Sequence, residues 1–199
     1  LKHNGGMGLL HSGVPGVPPA RICVLGGGVV GMNAARMAAG LGAEVVVVER
    51  SIPRMRVLDD MFLGRILTRY STLDAVGEEV LKADVVIGAV LTAGAAAPKL
   101  VRREHLSRMK RGSVLVDVSI DQGGCFETSR PTTHHDPTFV LDGVVHYCVA
   151  NMPGAAPRTS SEALGHATLP FGLLLADHGL EALGRSGHLA RGLGGLRGG

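Results

Sequence analysis

Hydrophobic and polar positions along this chain fall into short blocks that switch repeatedly between an apolar-run pattern and a helical one. The run at 21–25 is followed at once by Gly26, Gly27 and Gly28, which predicts a buried parallel strand entering a tight turn. From Val29 the pattern turns helical, through Ala34, Ala35, Met37, Ala38 and Leu41, with Gly40 and Gly42 as its stop. A second strand is expected at 44–48, ending in Glu49. Beyond it the alternation predicts a helix at 53–62, a strand at 65–70 and a helix that starts at Thr72 or Asp74 and runs to about 82. Residues 83–90 read as an almost uniformly apolar central strand, followed by a loop at 91–100, a helix at 102–109 and a fifth strand at 113–118.

The later part of the chain is less regular. His146 and Cys148 alternate with apolar neighbours, as in a strand ending near Asn151 and Met152. A helical signal returns with Thr159 and Ser160 as candidate caps and Glu162 in the first turn, and Pro170 is expected to kink or divide that segment. The glycine-rich stretch 185–199 predicts a frayed or truncated end. Strands and helices that alternate over short connections imply an α/β fold, a doubly wound parallel sheet of the Rossmann type. The expected organisation is a Gly/Pro-rich lead-in at 1–20, a nucleotide-binding domain at 21–154 and a helical segment of an incomplete second domain at 155–199.

Composition narrows this picture. Hydrophobic residues make up 45% of the 199 positions, but aromatics are only 3% and Trp is absent, so the core must be aliphatic. That suits a parallel sheet covered on both faces. The formal charge of +3 is spread along the chain without a basic stripe or interleaved aromatics, so neither nucleic acid nor a membrane is an expected partner. Three cysteines, Cys23, Cys125 and Cys148, form no C-x-x-C pair. With no signal peptide and no long apolar run, the chain reads as cytoplasmic with reduced thiols. The chain starts at Leu1 without an initiator Met, which suggests that something upstream has been lost. A flexible tail left by cloning is the bland alternative.

The chemistry concentrates at the first turn. Gly26, Gly28 and Gly31 fit G-x-G-x-x-G between a strand and a helix, with an acid, Glu49, at the tip of the next strand. The first glycine makes the turn, the second leaves room for a pyrophosphate, and the third lets helix and strand approach. The helix start, at Val29 and Val30, then presents free N–H groups to phosphate. Glu49 can accept both adenosine-ribose hydroxyls and repel a 2′-phosphate, which favours NAD over NADP. Arg50 and Arg54 are possible partners for such a phosphate, though solvated surface charge is the commoner reading.

In doubly wound sheets the ligand lies across the carboxyl ends of the strands. That rule selects the loops at 26–31 and 49–54, Ser71, Val90 with Leu91, and 119–124. In the last of these, Asp121 precedes Gln122 and two glycines. It is either a ligand-facing carboxylate or an Asx-type turn that merely ends the strand. His134 and His135 lack a matching ligand set and read as loop histidines, so no metal is expected.

Four segments, among them SIDQGGCFETSRPTTH and VANMPGA, make the chain strongly resemble alanine dehydrogenases over nearly its whole length. The resemblance implies NAD-dependent, reversible oxidative deamination of L-alanine to pyruvate and ammonium, and assembly as a homo-oligomer, commonly a hexamer. It places cofactor contacts on Glu49, Arg54, Ser71, Val90, Leu91, Val118, Ser119, Ile120 and Asp121, with Val149, Ala150, Asn151 and Met152 closing over the nicotinamide. Asp121 matches the active-site aspartate, and Glu49 stands where these enzymes usually have Asp. The amino-terminal half of the substrate domain, which carries the catalytic His and the Lys and Arg that hold substrate, is expected to be missing, so the fragment alone should be inactive. The NAD-binding part of proton-translocating transhydrogenase is similar in fold and in the APKL loop, but lacks the IDQGGCFETSRPTT run. A non-catalytic nucleotide-binding fragment is a third reading.

Overall fold

The computed structural model describes residues 4–91 and 96–192. Part of the expected loop at 91–100 and the last residues of the chain therefore lie outside the described residues. Contacts divide the chain into two compact units, Leu1–Met152 and Pro153–Gly199.

The first unit is built on one seven-stranded sheet in the order β3-β2-β1-β4-β5-β7-β6. Its strands are β1 (Arg21–Leu25), β2 (Glu44–Glu49), β3 (Leu67–Tyr70), β4 (Val85–Gly88), β5 (Val114–Asp117), β6 (Thr138–Leu141) and β7 (Val144–Tyr147). Helices α1 (Val29–Gly40), α2 (Ile52–Phe62), α3 (Leu73–Lys82) and α4 (Arg103–Leu106) make the connections among the first five strands. All pairings are parallel except β6 against β7.

The side chains of β1 and β2 show why these strands are apolar at every position. Cys23, Leu25, Val46 and Val48 pack with Val76 and Val80 of α3 on one face. Ile22, Val24, Val45 and Val47 pack with Ala35, Ala38 and Ala39 of α1 and Leu58 and Phe62 of α2 on the other. Both faces being covered, neither register of the alternation can be polar. The small alanines let α1 lie close to the sheet. Local caps agree with the tertiary arrangement: Ser51 accepts from Arg54 N–H and Thr72 from Ala75 N–H at the starts of α2 and α3.

Several expectations need correction. The strand at 83–90 is shorter, spanning Val85–Gly88: Ala89 still bonds Leu25 O through its N–H, and with Val90 it forms the rim of a cleft. The helix at 102–109 shrinks to one turn, Arg103–Leu106, and passes into the turn at 107–108. Strand β6 was not foreseen: its residues TFVL are bounded by Pro137 and Asp142, and Asp142 takes a positive φ of 52° in the hairpin turn to β7. The sheet is thus parallel with one antiparallel edge strand.

In the second unit, α5 (Pro157–His178) is followed by a 3-10 turn (Gly179–Glu181), α6 (Ala182–Arg185) and α7 (Gly187–Gly192). Helix α5 starts at Pro157, ahead of Thr159, because a proline at the first position needs no partner for a missing N–H. Pro170 sits inside it without dividing it: only one intrahelical bond is lost, and the exposed turn leaves the freed carbonyl to water. Residues 187–192, expected within a frayed or truncated end, are helical; the remainder of that stretch is outside the described residues. Among the described residues no helix is long and apolar enough to cross a membrane.

Candidate functional site

The turn from β1 to α1 is shaped by close approach. Gly26 has φ +94°, and a Cβ there would sit 2.8 Å from Ala89 O. A Cβ on Gly31 would fall 1.8 Å from Gly26 O, so strand and helix touch through bare backbone. A Cβ on Gly28 would meet nothing within 4 Å: it would project into open space. Gly28 is also the residue before α1, whose start has no side-chain cap, so its first-turn N–H groups are free to meet an anion.

Glu49, at the tip of β2, turns back to this loop. One carboxylate oxygen accepts from Gly27 N–H at 2.7 Å, the other from Arg50 N–H and Ser51 N–H at 2.8 Å each. The acid is thereby held in place by three backbone donors. Arg54 lies beneath the glycines: its Nε donates to Gly27 O, and its Nη2 lies 3.4 Å from Gly28 O and from Met32 Sδ. It is engaged with loop carbonyls, whereas Arg50 lines the open cleft.

That cleft, of about 600 Å³, runs along the carboxyl ends of β1, β2 and β4 and is lined by Gly26, Gly28, Val29, Val30, Glu49, Ser71, Val90 and Leu91 among others. A smaller hollow of about 150 Å³ is lined by Val30, Val90 and Leu91 together with Val118, Ser119, Asp121 and Gln122. The shared residues make the two a continuous trough across the point where the strand order reverses. Ser119 Oγ donates to Val90 O at 2.7 Å, tying the end of β5 to the end of β4. Asp121 sits exposed in a 3-10 turn (Ile120–Gln122) and accepts from Asn151 N–H, 3.3 and 3.4 Å from its two oxygens. Asn151 has φ +54°, and its carbonyl is 3.0 Å from His134 Nε2. Gln122 contributes a buried Oε1 that has no hydrogen-bond partner among the described residues.

Not every candidate reaches the trough. Gly31 is packed under the turn, Ile120 is core, and Val149 is wholly buried, with Ala150 N–H bonded to Thr132 O. Ala150, Asn151 and Met152 are absent from both linings, although Asn151 touches Asp121. His146 is a core residue, stacked on Phe139 at 4.6 Å and bonded to Thr128 Oγ1 at 2.8 Å. Burial holds its imidazole below the usual value. All three thiols are free and buried, and burial pushes Cys23 up to about 12. Among the described residues no three His, Cys, Asp or Glu are grouped to hold a metal ion.

Sequence reasoning missed Asp117. This last residue of β5 is fully buried, yet its carboxylate accepts from Ser119 N–H (3.1 Å), Cys125 N–H (2.9 Å), Phe126 N–H (3.3 Å) and Ser129 Oγ. The available signal was a lone acid within an otherwise apolar strand.

The family model for the alanine dehydrogenase/PNT C-terminal domain matches residues 1–198. The chain belongs to this family. It is 65% identical to an alanine dehydrogenase of Halomonas elongata over 96% of its own length and 52% of that protein's. With an alanine dehydrogenase of Mycolicibacterium smegmatis identity is 55%, over 97% of the chain and 52% of the relative. The chain thus spans about half the length of the curated relatives it matches. A solved L-alanine dehydrogenase superposes with a TM-score of 0.92 at 48% identity, covering 96% of this chain and 53% of that one. A solved transhydrogenase of Sinorhizobium meliloti gives a TM-score of 0.64 at 31% identity, covering 73% of this chain and 41% of that one.

Proposed function

We propose that this chain is the NAD-binding half of an enzyme that converts L-alanine, water and NAD to pyruvate, ammonium, NADH and a proton, and runs the reverse reaction. The observation that carries this reading is the trough itself, which has Glu49 at one end and Asp121 at the other. The identity to alanine dehydrogenases supports the choice of substrate, and the lower likeness to a transhydrogenase makes that reading the weaker one.

The residues present fit the dinucleotide. The open space over Gly28 and the uncapped start of α1 suit a pyrophosphate. Glu49, already aimed by three N–H groups, has lone pairs for ribose hydroxyls. The orphaned Gln122 Oε1 offers an acceptor beside Asp121. Bound NAD would supply the hydride acceptor. Asp121 is solvent-accessible and hydrogen-bonded only weakly to Asn151, so it can orient a water and take up its proton. Val29, Val30, Val90 and Leu91 give the trough an apolar lining between the two acids.

The test is a fluorescence titration of the full 199-residue chain with NADH. Saturable binding, competed by NAD, is expected; no binding by folded protein would overturn the proposal.

A further inference from the structure

We propose that Asp117 is a positioning residue that sets the nicotinamide-side wall of the trough, an inference that rests on the NAD-binding reading above. Its carboxylate does not line the trough. It lies behind the wall and gathers five donors from both ends of one loop: Ser119 N–H from the start, and Cys125 N–H, the Cys125 thiol, Phe126 N–H and Ser129 Oγ from the return. The intervening turn carries Asp121 and Gln122. Every partner is a donor, so the site is built for an acceptor-only carboxylate.

The surroundings leave that loop little other choice. Gly124 has φ +72°, and a Cβ there would come 2.6 Å from Asp117 Oδ2. A Cβ on Gly88, the last residue of β4, would fall 2.2 Å from Cys125 Sγ, so the returning strand lies directly on the bare end of β4. Cys148 Sγ lies 3.7 Å from Ser129 Oγ and extends the network to β7. Ser119, fixed through its N–H by Asp117, uses its hydroxyl to hold Val90 O. Asp117 therefore controls both the Ser119–Val90 link and the turn that presents Asp121. In a doubly wound sheet the adenosine half of a dinucleotide lies on the β1/β2 side of the reversal and the other half over β4 and β5. Glu49 and the glycines belong to the first half, the loop closed by Asp117 to the second.

This placement predicts a separable effect. Asp117→Asn keeps the shape but turns one acceptor into a donor that faces N–H or O–H groups. The unaltered chain, Asp117→Asn and Ser129→Ala are each titrated with NADH and with ADP-ribose, which lacks the nicotinamide, and their melting temperatures are recorded. Asp117→Asn should weaken NADH about tenfold, the scale of one buried donor left unmatched, and leave ADP-ribose within about twofold. Ser129→Ala, which removes only one of the five donors, should shift the NADH-to-ADP-ribose ratio in the same direction by about threefold, and it carries the test if Asp117→Asn does not fold. An unchanged ratio in the folded variants, or equal loss of both ligands, would overturn the positioning role. Failure of the unaltered chain to bind either ligand would instead overturn the NAD-binding reading, and this inference with it.

Discussion

Glu49 shows how a single side chain can serve two purposes. Its oxygens are anchored by Gly27, Arg50 and Ser51 N–H groups, which leaves a fixed negative charge at the cleft. Glu49→Gln would keep an acceptor but remove the repulsion of a 2′-phosphate. Parallel titrations should show the NADH-over-NADPH preference falling by on the order of tenfold, and an unchanged ratio would shift the discrimination to Arg50, which also lines the cleft. Arg54 is the lesser candidate because it is engaged with Gly27 and Gly28 carbonyls. His146 makes a different prediction. Burial lowers its folded value below the usual 6.5, so the unfolded chain binds the extra proton first as pH falls. Its contribution is complete above about 6.5 and is lost on acidification below it. Urea midpoints at pH 7.5 and 5.5 should therefore differ more in the unaltered chain than in His146→Gln; equal differences would remove His146 as the source.

At the level of elements, the β1-α1 unit depends on Gly31. Its backbone contact with Gly26 leaves no room for a methyl group, and both neighbours are pinned, Gly26 by its N–H bond to Val48 O and the helix by its alanine face. Gly31→Ala should cost on the order of 1 to 3 kcal/mol from overpacking and weaken NADH binding together with stability. A thermal melt unaltered by the substitution would show that α1 can shift freely. The helix α3 edge is held by charge instead: Glu79, only 3% exposed, pairs with Arg21 at 2.8 Å and with Arg69. Burial alone would raise its carboxyl, but hydrogen bonds from the two guanidinium groups outweigh it and hold the group below its usual value. This adds a second acid-sensitive contribution, lost as pH falls below about 4.5, well separated from that of His146.

At the scale of the whole molecule, the chain spans about half of its relatives' length, and the proposed reaction needs substrate held against the cofactor. Loss of that orientation forfeits on the order of 7 to 11 kcal/mol of barrier lowering. Alanine-dependent NADH formation by the 199-residue chain should therefore be negligible even where NADH binds, and robust turnover would refute this. Joined to the other half of a relative such as the Halomonas elongata protein, the chain should turn over alanine, and Asp121→Asn in that fusion should lower kcat by about 100-fold or more. Turnover near that of the unaltered fusion would remove Asp121 from the chemistry.

Much of the architecture was legible in the sequence because it rests on local or periodic signals. The apolar runs of β1 and β2, the G-x-G-x-x-G turn, the acid after β2 and the caps Ser51 and Thr72 each act within a few residues. The sheet order follows from short right-handed crossovers between such units. What only the tertiary structure decided depends on residues distant in the chain. That Asp121 lies on the lining of a hollow could not be read from its neighbours, because its placement depends on Val90, 29 positions before Ser119, and on Asn151, 30 positions after Asp121. Strand β6 was invisible because it lies at the sheet edge and forms only by pairing with β7. Asp117 looked like an interruption of an apolar strand. Five donors brought together by that loop make its burial tolerable, and a buried carboxylate can be understood only once its partners are known.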